Sequence, residues 1–354
     1  MTPLTSAPAL RPNKGFHPIL DAEQPYLFID ACMQAWPDAD FASAHRHGVT
    51  AYGVTSWRPH ATLDEALGGQ MFWHLVARRH PTIIIAERAS DLGRAKAEGK
   101  AAFILAAQDG EFIGGELHRI EAFQRLGLRM LIPAYNRANL ICDGCLDRTD
   151  RGLTRFGELV IDECDRVGIV LDCSHLGRRS AMEIIERSAN PVVFSHSNVK
   201  AIVDAPRNAD DEQIRACAAK GGVIGLAPFG PFVLRNGQTD WPTLDDFIDH
   251  VDHVAQLLGS TDSIGIGTDM SLGTYPDHEV DPWGEPAYPK SSNNDYSIHV
   301  TGDVRSPMRA LRDFNSFSHV PVLVDRLIAR GYREPDVRRI LGENFLRVFS
   351  AVWK

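Results

Sequence analysis

The sequence predicts an α/β fold, a TIM-like (β/α)8 barrel. Eight short, apolar, β-branched-rich runs recur along the 354 residues, and longer stretches with helical periodicity separate them. The runs are continuously apolar rather than alternating, which is typical of parallel strands buried on both faces. Regular alternation of such strands with helices indicates a parallel barrel. A doubly wound open sheet is the alternative, but no Gly-X-Gly-X-X-Gly or Walker-type loop indicates a nucleotide site.

The eight predicted strands of the barrel are, in chain order, residues 26–30, 49–55, 102–107, 130–134, 168–172, 191–195, 222–227 and 263–268. A further run at 82–86 fits a ninth, peripheral strand. Helix start and stop signals bracket three of the intervening helices. The pairs are Thr154 with Gly168, Asp210 or Asp211 with Gly221, and Thr243 with Gly259.

We expect one domain over residues 1–354. A stretch at about 271–316 is rich in Pro, Gly, Asn, Asp and Ser, and follows the eighth strand. Long loops of this kind usually form a lid or an oligomer contact. The segment at about 320–354 has amphipathic helical periodicity and is predicted to close the barrel.

Composition excludes several classes of protein. Lys and Arg number 37 against 46 Asp and Glu, a net charge of −9, which argues against a nucleic-acid or membrane-surface binder. Six cysteines in 354 residues do not make a disulfide scaffold. The chain shows neither a signal-peptide pattern nor an apolar run near the ~18 residues that span a bilayer. We therefore expect a cytoplasmic protein with reduced cysteines.

Chemistry in a (β/α)8 barrel lies at the carboxyl ends of the strands. His175 follows the fifth predicted strand, His196 the sixth and Asp269 the eighth. Two imidazoles and a carboxylate are suited to binding zinc or activating water, whereas His175 alone would be read as an ordinary loop histidine. Further candidates follow the other strands: Cys32, Gln34, Trp57, Arg58, Gln108, Asp109, Glu111, Tyr135, Asn136 and Phe229.

Several segments together resemble one known family. They are DGCLDRTDRGLTRFGELVIDECDRVGIVLDCSH, PVVFSHSNVKAI, PRN with an Asp-Glu shortly after it, IGIGTD and ILGENFLRVF, in that order. They resemble the membrane (renal) dipeptidases, peptidase family M19 of the amidohydrolase superfamily. The 21-residue interval between His175 and His196 matches the interval between that family's two histidine ligands.

The resemblance implies a metallo-dependent hydrolase barrel that carries two bridged zinc ions and cleaves dipeptides or related small amides. By position, it implies that His175 and His196 bind metal, and that Asp269 holds the nucleophilic water and takes its proton. It also implies that Arg207 pairs with the substrate's terminal carboxylate, a role that suits a planar, bidentate guanidinium.

This chain departs from the family's ligand set at four positions. Where the family has His-X-Asp after the first strand, the sequence has Cys32 and Gln34. Gln108 stands in place of the bridging glutamate, and Tyr135 in place of a histidine after the fourth strand. Without these carboxylates, the repulsion between two adjacent cations is not offset.

The sequence therefore predicts one zinc ion. We expect His175 and His196 to hold it with one or more of Asp269, Cys32, Gln108 and water. A small, buried apolar role is the alternative for Cys32.

Substrate contacts are predicted from four side chains near the same strand ends. Tyr135 can donate a hydrogen bond to an oxyanion and is a catalytic candidate beside Asp269. Tyr135, Asn136, Glu111 and Arg207 are predicted to bind substrate. Glu111 is alternatively a proton carrier or an ion-pair partner of Arg58 or of another loop arginine.

The predicted function is that of a dipeptidase-like metallohydrolase acting on a dipeptide or small amide with a free carboxylate. A non-peptidase enzyme on the same barrel and an inactive ligand-binding homologue are the alternatives. The expected partners are a small-molecule substrate and further copies of the chain, as a homodimer or larger homo-oligomer, without nucleic acid or membrane.

Overall fold

The computed structural model describes residues 27–36, 39–273 and 309–354. All the strand pairs recorded there are parallel. The strands are β1 (Ile29–Ala35), β2 (Ala51–Thr55), β3 (Ile83–Ile85), β4 (Ala101–Ala107), β5 (Leu128–Leu131), β6 (Val170–Leu171), β7 (Val193–Phe194), β8 (Val223–Leu226), β9 (Ile264–Ile266) and β10 (Met270–Leu272).

Eight of these strands form a closed barrel. Their hydrogen-bonded order is β6-β5-β4-β2-β1-β9-β8-β7, and a parallel bridge between Asp172 and Val193 joins β6 to β7. Closure confirms the (β/α)8 prediction and excludes the open sheet. The run at 82–86 supplies β3, a peripheral strand paired with β4, and β10 extends the edge of β1.

Helices fill the connections between strands, and the three predicted N-caps are confirmed. The Thr154 side chain accepts from Gly157 N, and Asp210 with Gln213 and Thr243 with Asp246 form reciprocal capping boxes. Gly168 and Gly259 are C-caps as predicted, whereas Lys220 rather than Gly221 caps the third helix. The helices are α1 (Phe41–Arg46), α2 (Leu63–Arg79), α3 (Ala89–Glu98), α4 (His118–Arg125), α5 (Arg155–Val167), α6 (Arg178–Arg187), α7 (Asp211–Ala219), α8 (Gly230–Val233), α9 (Leu244–Leu258), α10 (Val320–Ala329), α11 (Glu334–Arg338) and α12 (Asn344–Val352).

The first strand extends further than predicted. It was expected at 26–30, but β1 runs to Ala35, so Cys32 and Gln34 lie within the strand rather than after it. Residues 33–35 pair with β10, and the fully buried Asp30 accepts hydrogen bonds from Cys32 N, Thr268 N and Thr268 Oγ1. A buried, hydrogen-bonded carboxylate is compatible with a continuing strand.

The C-terminal helices cover the amino-terminal end of the barrel. Phe345, Val348 and Phe349 of α12 are buried in one cluster with Ile29 of β1 and Val223 of β8. Most of the predicted loop at 271–316 lies outside the described residues. Among the described helices, none is long and apolar enough to cross a membrane.

Candidate metal and active site

Three predicted site residues meet at the carboxyl end of the barrel. His175 follows β6, His196 follows β7 and Asp269 follows β9. The Nε2 atoms of the two buried histidines lie 2.8 Å apart. A histidine nitrogen of His196, a carboxylate oxygen of Asp269 and Cys32 Sγ lie within 4.8 Å of one another. His196 therefore lies between His175 on one side and the group that it forms with Asp269 and Cys32 on the other.

Each imidazole is held in place by a hydrogen bond at Nδ1, the ring nitrogen that does not face the other histidine. His175 Nδ1 lies 2.7 Å from Asn136 Oδ1, and His196 Nδ1 lies 2.7 Å from Ser195 Oγ. Because an amide oxygen only accepts, His175 Nδ1 is the donor and its Nε2 keeps a lone pair. Anchoring one ring nitrogen so that the other faces the centre is typical of metal-binding histidines.

The electrostatic surroundings keep both rings neutral. Burial lowers the pKa of His175 and of His196 well below the ordinary histidine range. The positive charge of Arg207 lowers both further, and His196 adds to the effect on His175. A neutral imidazole is the form that binds a metal ion.

Backbone strain is concentrated around this point. Four non-glycine residues in the described part of the chain have positive φ: His60, Asn136, His175 and Asp269, at 51° to 67°. Such residues are uncommon and cluster at functional sites, where the surrounding structure holds them. Here they lie in the loops that follow β2, β5, β6 and β9.

A close approach of two strand ends brings Asp269 to the histidines. A Cβ atom at Gly267 would lie 1.9 Å from the carbonyl oxygen of Ser195, so only glycine fits there. The chain after β9 thus packs directly against the chain after β7. Asp269 is half-buried, and burial raises its pKa, while the charges of Arg309 and Arg207 oppose that rise.

The substituted positions within β1 and after β4 contact the same group of side chains. Gln108 Nε2 donates to Cys32 Sγ at 3.1 Å, and Gln34 Nε2 donates to Asp269 Oδ1 at 3.2 Å. Both amides therefore direct N–H groups, rather than their oxygens, at the candidate ligands. Burial raises the pKa of the Cys32 thiol well above its ordinary value.

Arg207 lies directly behind His196. Its guanidinium donates to the His196 carbonyl oxygen at 3.1 Å and to Ser197 Oγ at 3.4 Å, and packs over the Phe232 ring at 4.9 Å. Its Nε is buried and has no hydrogen-bond partner. An unpartnered buried N–H of a cation is a position at which an anionic ligand compensates a desolvation cost.

A cavity of about 190 Å³ opens onto the site. Tyr135 lines it and stacks on the His175 ring, with centroids 4.1 Å apart. Its polar lining includes Gln34, Gln108, His175 and Asp269, and its aromatic lining comprises Trp36, Trp57, Phe72, Trp73, Phe229 and Phe232.

Two predicted substrate residues have other contacts. Asn136 is fully buried and its amide oxygen accepts from His175, so it positions that ring. Glu111 lies 3.0 Å from His60 Nδ1, not beside Arg58, which pairs with Glu65. Both placements differ from the interpretation drawn from the sequence.

The sequence interpretation missed His60. Its ring also contacts Asp109 at 3.1 Å, and these carboxylates raise its pKa to about 9. Its ring lies edge-on to Tyr135, with centroids 6.2 Å apart. His60 stands five residues beyond the end of β2, and inspection of the whole loop would have found it.

Comparison with known proteins identifies the family of this chain. The sequence profile of the membrane dipeptidases (peptidase family M19) matches residues 33–280 and 297–354. The chain is 27% identical over 270 residues to dipeptidase tcpJ of Claviceps purpurea, covering 76% of this chain and 55% of that protein. It is 24% identical over 280 residues to dipeptidase verJ of Clonostachys rogersoniana, covering 78% and 62%. The matches thus span little more than half of these two curated relatives.

Solved structures share the fold. An amidohydrolase from Pseudomonas aeruginosa superimposes with a TM-score of 0.80 and 28% identity, covering 93% of this chain and 97% of that one. A metallopeptidase from Rhodobacter sphaeroides, liganded with a phosphinate mimic of L-Ala-D-Ala, superimposes with a TM-score of 0.73 at 20% identity, covering 93% and 100%. The family resemblance is therefore confirmed. The chain belongs to the membrane dipeptidase family, peptidase family M19.

Proposed function

We propose that this protein is a dipeptidase-like hydrolase that cleaves a dipeptide or small amide carrying a free carboxylate, with one bound metal ion. The observation that carries this proposal is the pair of buried, neutral imidazoles whose Nε2 atoms meet 2.8 Å apart beside Asp269. Zinc as the ion, a cytoplasmic location and a homodimer or larger assembly stay predictions from the sequence.

The side chains present fit one ion better than two. His175, His196 and Asp269 supply two imidazoles and a carboxylate, the usual number of protein ligands at a catalytic zinc. Gln34 and Gln108 are neutral, and their N–H groups point at the neighbouring candidate ligands. Those donors carry partial positive charge, so a second cation there would meet repulsion without an anionic bridge.

The ion, when bound, would polarise the scissile carbonyl and lower the pKa of a coordinated water. Asp269 provides a carboxylate next to the histidines, and Gln34 holds its Oδ1 in place. We assign to Asp269 the acceptance of the proton from the attacking water and its delivery to the leaving amine. Arg309 and Arg207 oppose the effect of burial and so favour its ionised form.

Two further side chains bind the substrate in this proposal. The guanidinium of Arg207 lines a neighbouring cavity, which shares His175 with the cavity that Tyr135 lines, and with its unpartnered Nε it pairs there with the terminal carboxylate. The Tyr135 hydroxyl belongs to a ring that lines the cavity and stacks on His175, and it donates to the carbonyl oxygen as negative charge develops there. The aromatic walls of the cavity suit an apolar substrate side chain.

Elemental analysis and dipeptide turnover test the proposal together. We expect one metal ion per chain, hydrolysis of simple dipeptides such as L-Ala-L-Ala, loss of activity on chelation and its return with added metal. His196→Ala should lose the ion and the activity. His253→Ala is the matched control, because that histidine pairs with Asp211 on an outer helix.

A folded, metal-free protein that is indifferent to His196→Ala would contradict the proposal. Stabilisation by dipeptides without any product would instead indicate a ligand-binding homologue, since a ligand that binds the folded state raises its stability. A dipeptide carboxamide, which lacks the free carboxylate, serves as the substrate control.

A further inference from the structure

We propose that Cys32 is a further protein ligand of the single ion, bound as a thiolate in addition to the coordinated water of a five-coordinate centre, and that the Gln108 amide donates a hydrogen bond to that sulfur. This inference rests on the proposed function, because it concerns the same ion. It assigns the site a ligand set of one sulfur, two imidazole nitrogens and one carboxylate oxygen, and with it a preference for a borderline-soft divalent cation such as zinc.

The position of the sulfur is the first step. Cys32 lies on β1, is 4% exposed, and its Sγ belongs to the group within 4.8 Å that includes His196 and Asp269. The Nε2 atom of His175 lies outside this group and is 2.8 Å from the Nε2 atom of His196. The four side chains come from β1 and from the chain after β6, β7 and β9.

The Gln108 contact is the second step. Its Nε2 donates to Cys32 Sγ at 3.1 Å, and the amide is itself 6% exposed. Hydrogen bonds to ligand sulfur are among the outer contacts by which proteins stabilise metal thiolates. A cysteine that only filled apolar space would not explain why a buried amide directs its N–H at the sulfur.

Charge balance is the third step. A divalent cation with one thiolate, one carboxylate and two neutral imidazoles forms a centre without net charge, which lowers the cost of burying it. A carboxylate at position 108 would place a further negative charge about 3 Å from the thiolate, where unit charges repel strongly. The neutral amide of Gln108 avoids this repulsion and donates instead. The neutral amide at position 108 is therefore compatible with a thiolate at position 32, whereas a carboxylate is not.

Ligation changes one bond at the sulfur. The S–H bond of Cys32 breaks, the sulfur keeps the electron pair and shares it with the cation, and the proton leaves to solvent. No oxidant or reductant is required. Coordination deprotonates a thiol outright even where burial otherwise favours its neutral form.

Spectroscopy of the intact protein tests this without reference to turnover. We expect X-ray absorption of the zinc-loaded protein to show one sulfur at about 2.3 Å from the metal. The cobalt-loaded protein should show an intense near-ultraviolet sulfur-to-cobalt charge-transfer band. Cys164→Ser, at a buried cysteine within α5, is the matched control and should keep both signals.

Two variants assign the signals. Cys32→Ser should remove the sulfur scattering and the charge-transfer band while it binds one ion about 10- to 100-fold more weakly. Gln108→Leu should keep the sulfur scattering, shift the band, and weaken zinc binding by about 10- to 100-fold, as for other outer-contact losses. Circular dichroism establishes that each variant is folded.

The outcomes separate the two proposals. One ion per wild-type chain without sulfur scattering would overturn this inference and leave the proposed function standing. A wild-type chain that binds no ion would overturn both. Unchanged scattering in a folded Cys32→Ser protein would assign the sulfur to another residue and refute the role of Cys32.

Discussion

The two sides of the barrel mouth have the same supports but different chemistry. The histidine side is formed by the ends of β6 and β7 and carries His175 and His196. The amide side is formed by the ends of β1 and β4 and carries Cys32, Gln34 and Gln108. On each side a fully buried aspartate ties neighbouring strand ends together. On the histidine side this is Asp172, whose Oδ1 accepts from the backbone N–H groups that follow β6 and β7.

Asp30 does the same on the amide side, where it joins β1 to the chain after β9. Burial raises the pKa of both carboxyls, that of Asp30 to about 7. Both sides thus use a buried carboxylate to join strand ends, whereas the side chains that face the centre differ. We therefore propose that a few facing side chains, rather than the scaffold, set the number of bound ions.

The largest expected effect comes from introducing carboxylates on the amide side. The triple variant Cys32→His, Gln34→Asp, Gln108→Glu introduces two carboxylates that can bridge and neutralise a second cation. We expect elemental analysis to show two ions per chain in place of one. The variant's melting transition is the folding control. One ion per chain in a folded triple variant would show that something other than these side chains limits the site.

A smaller effect is expected from removing one hydrogen bond on the histidine side. Asn136 orients His175 through its amide oxygen, so Asn136→Gly should weaken zinc binding by about 10- to 100-fold. Glycine tolerates the φ of 60° at this position, which separates the lost hydrogen bond from backbone strain. Asn136→Asp, which keeps an acceptor oxygen, should bind zinc more tightly than Asn136→Gly in a competition titration. Equal zinc affinities of the two variants would show that the hydrogen bond with Asn136 does not position His175.

Arg207 tests whether the histidine side also recognises the substrate. Arg207→Lys removes the planar fork that pairs with a carboxylate. Charge-assisted hydrogen bonds are worth about 1.5–3 kcal/mol, so the KM of a dipeptide should rise about 10- to 100-fold. The KM of the matching carboxamide should change little. A parallel rise for both substrates would show that the substitution disturbs His196, whose carbonyl Arg207 contacts.

The smallest effect concerns His60, between Asp109 and Glu111. Its pKa of about 9 in the folded protein exceeds the ordinary 6.5, so its protonated form stabilises the fold fully below pH 6.5. This contribution is lost as the pH rises through about 9. Because the ring is 36% exposed, we expect no more than about 1 kcal/mol.

Urea unfolding of wild type and His60→Asn, from pH 6 to pH 9.5, measures this contribution. Asparagine is chosen because it tolerates the positive φ of the position. The difference in free energy of unfolding should be largest at the acidic end and shrink towards the alkaline end. A difference that is independent of pH would assign the effect to packing rather than to charge.

The sequence allowed the strands to be placed because continuous apolar runs mark strands buried on both faces. It located His175, His196 and Asp269 at strand ends, and the structure brings them together. The predicted end of β1 was wrong, because the charged Asp30 follows an apolar run and so indicates the last residue of a strand. The partner that makes its burial possible, Thr268, is 238 residues away along the chain, and no local pattern contains that information.

The amino-acid sequence by itself determined the barrel, its order of elements and the family, because these depend on residue types at regular spacing. Only the tertiary structure decided what each polar side chain does. It directed the Gln34 and Gln108 amides at a carboxylate and a sulfur, turned Asn136 to His175, and paired Glu111 with His60. Hydrogen bonds are directional and short, so partners far apart in sequence are selected only when the fold sets their side chains within about 3 Å of each other.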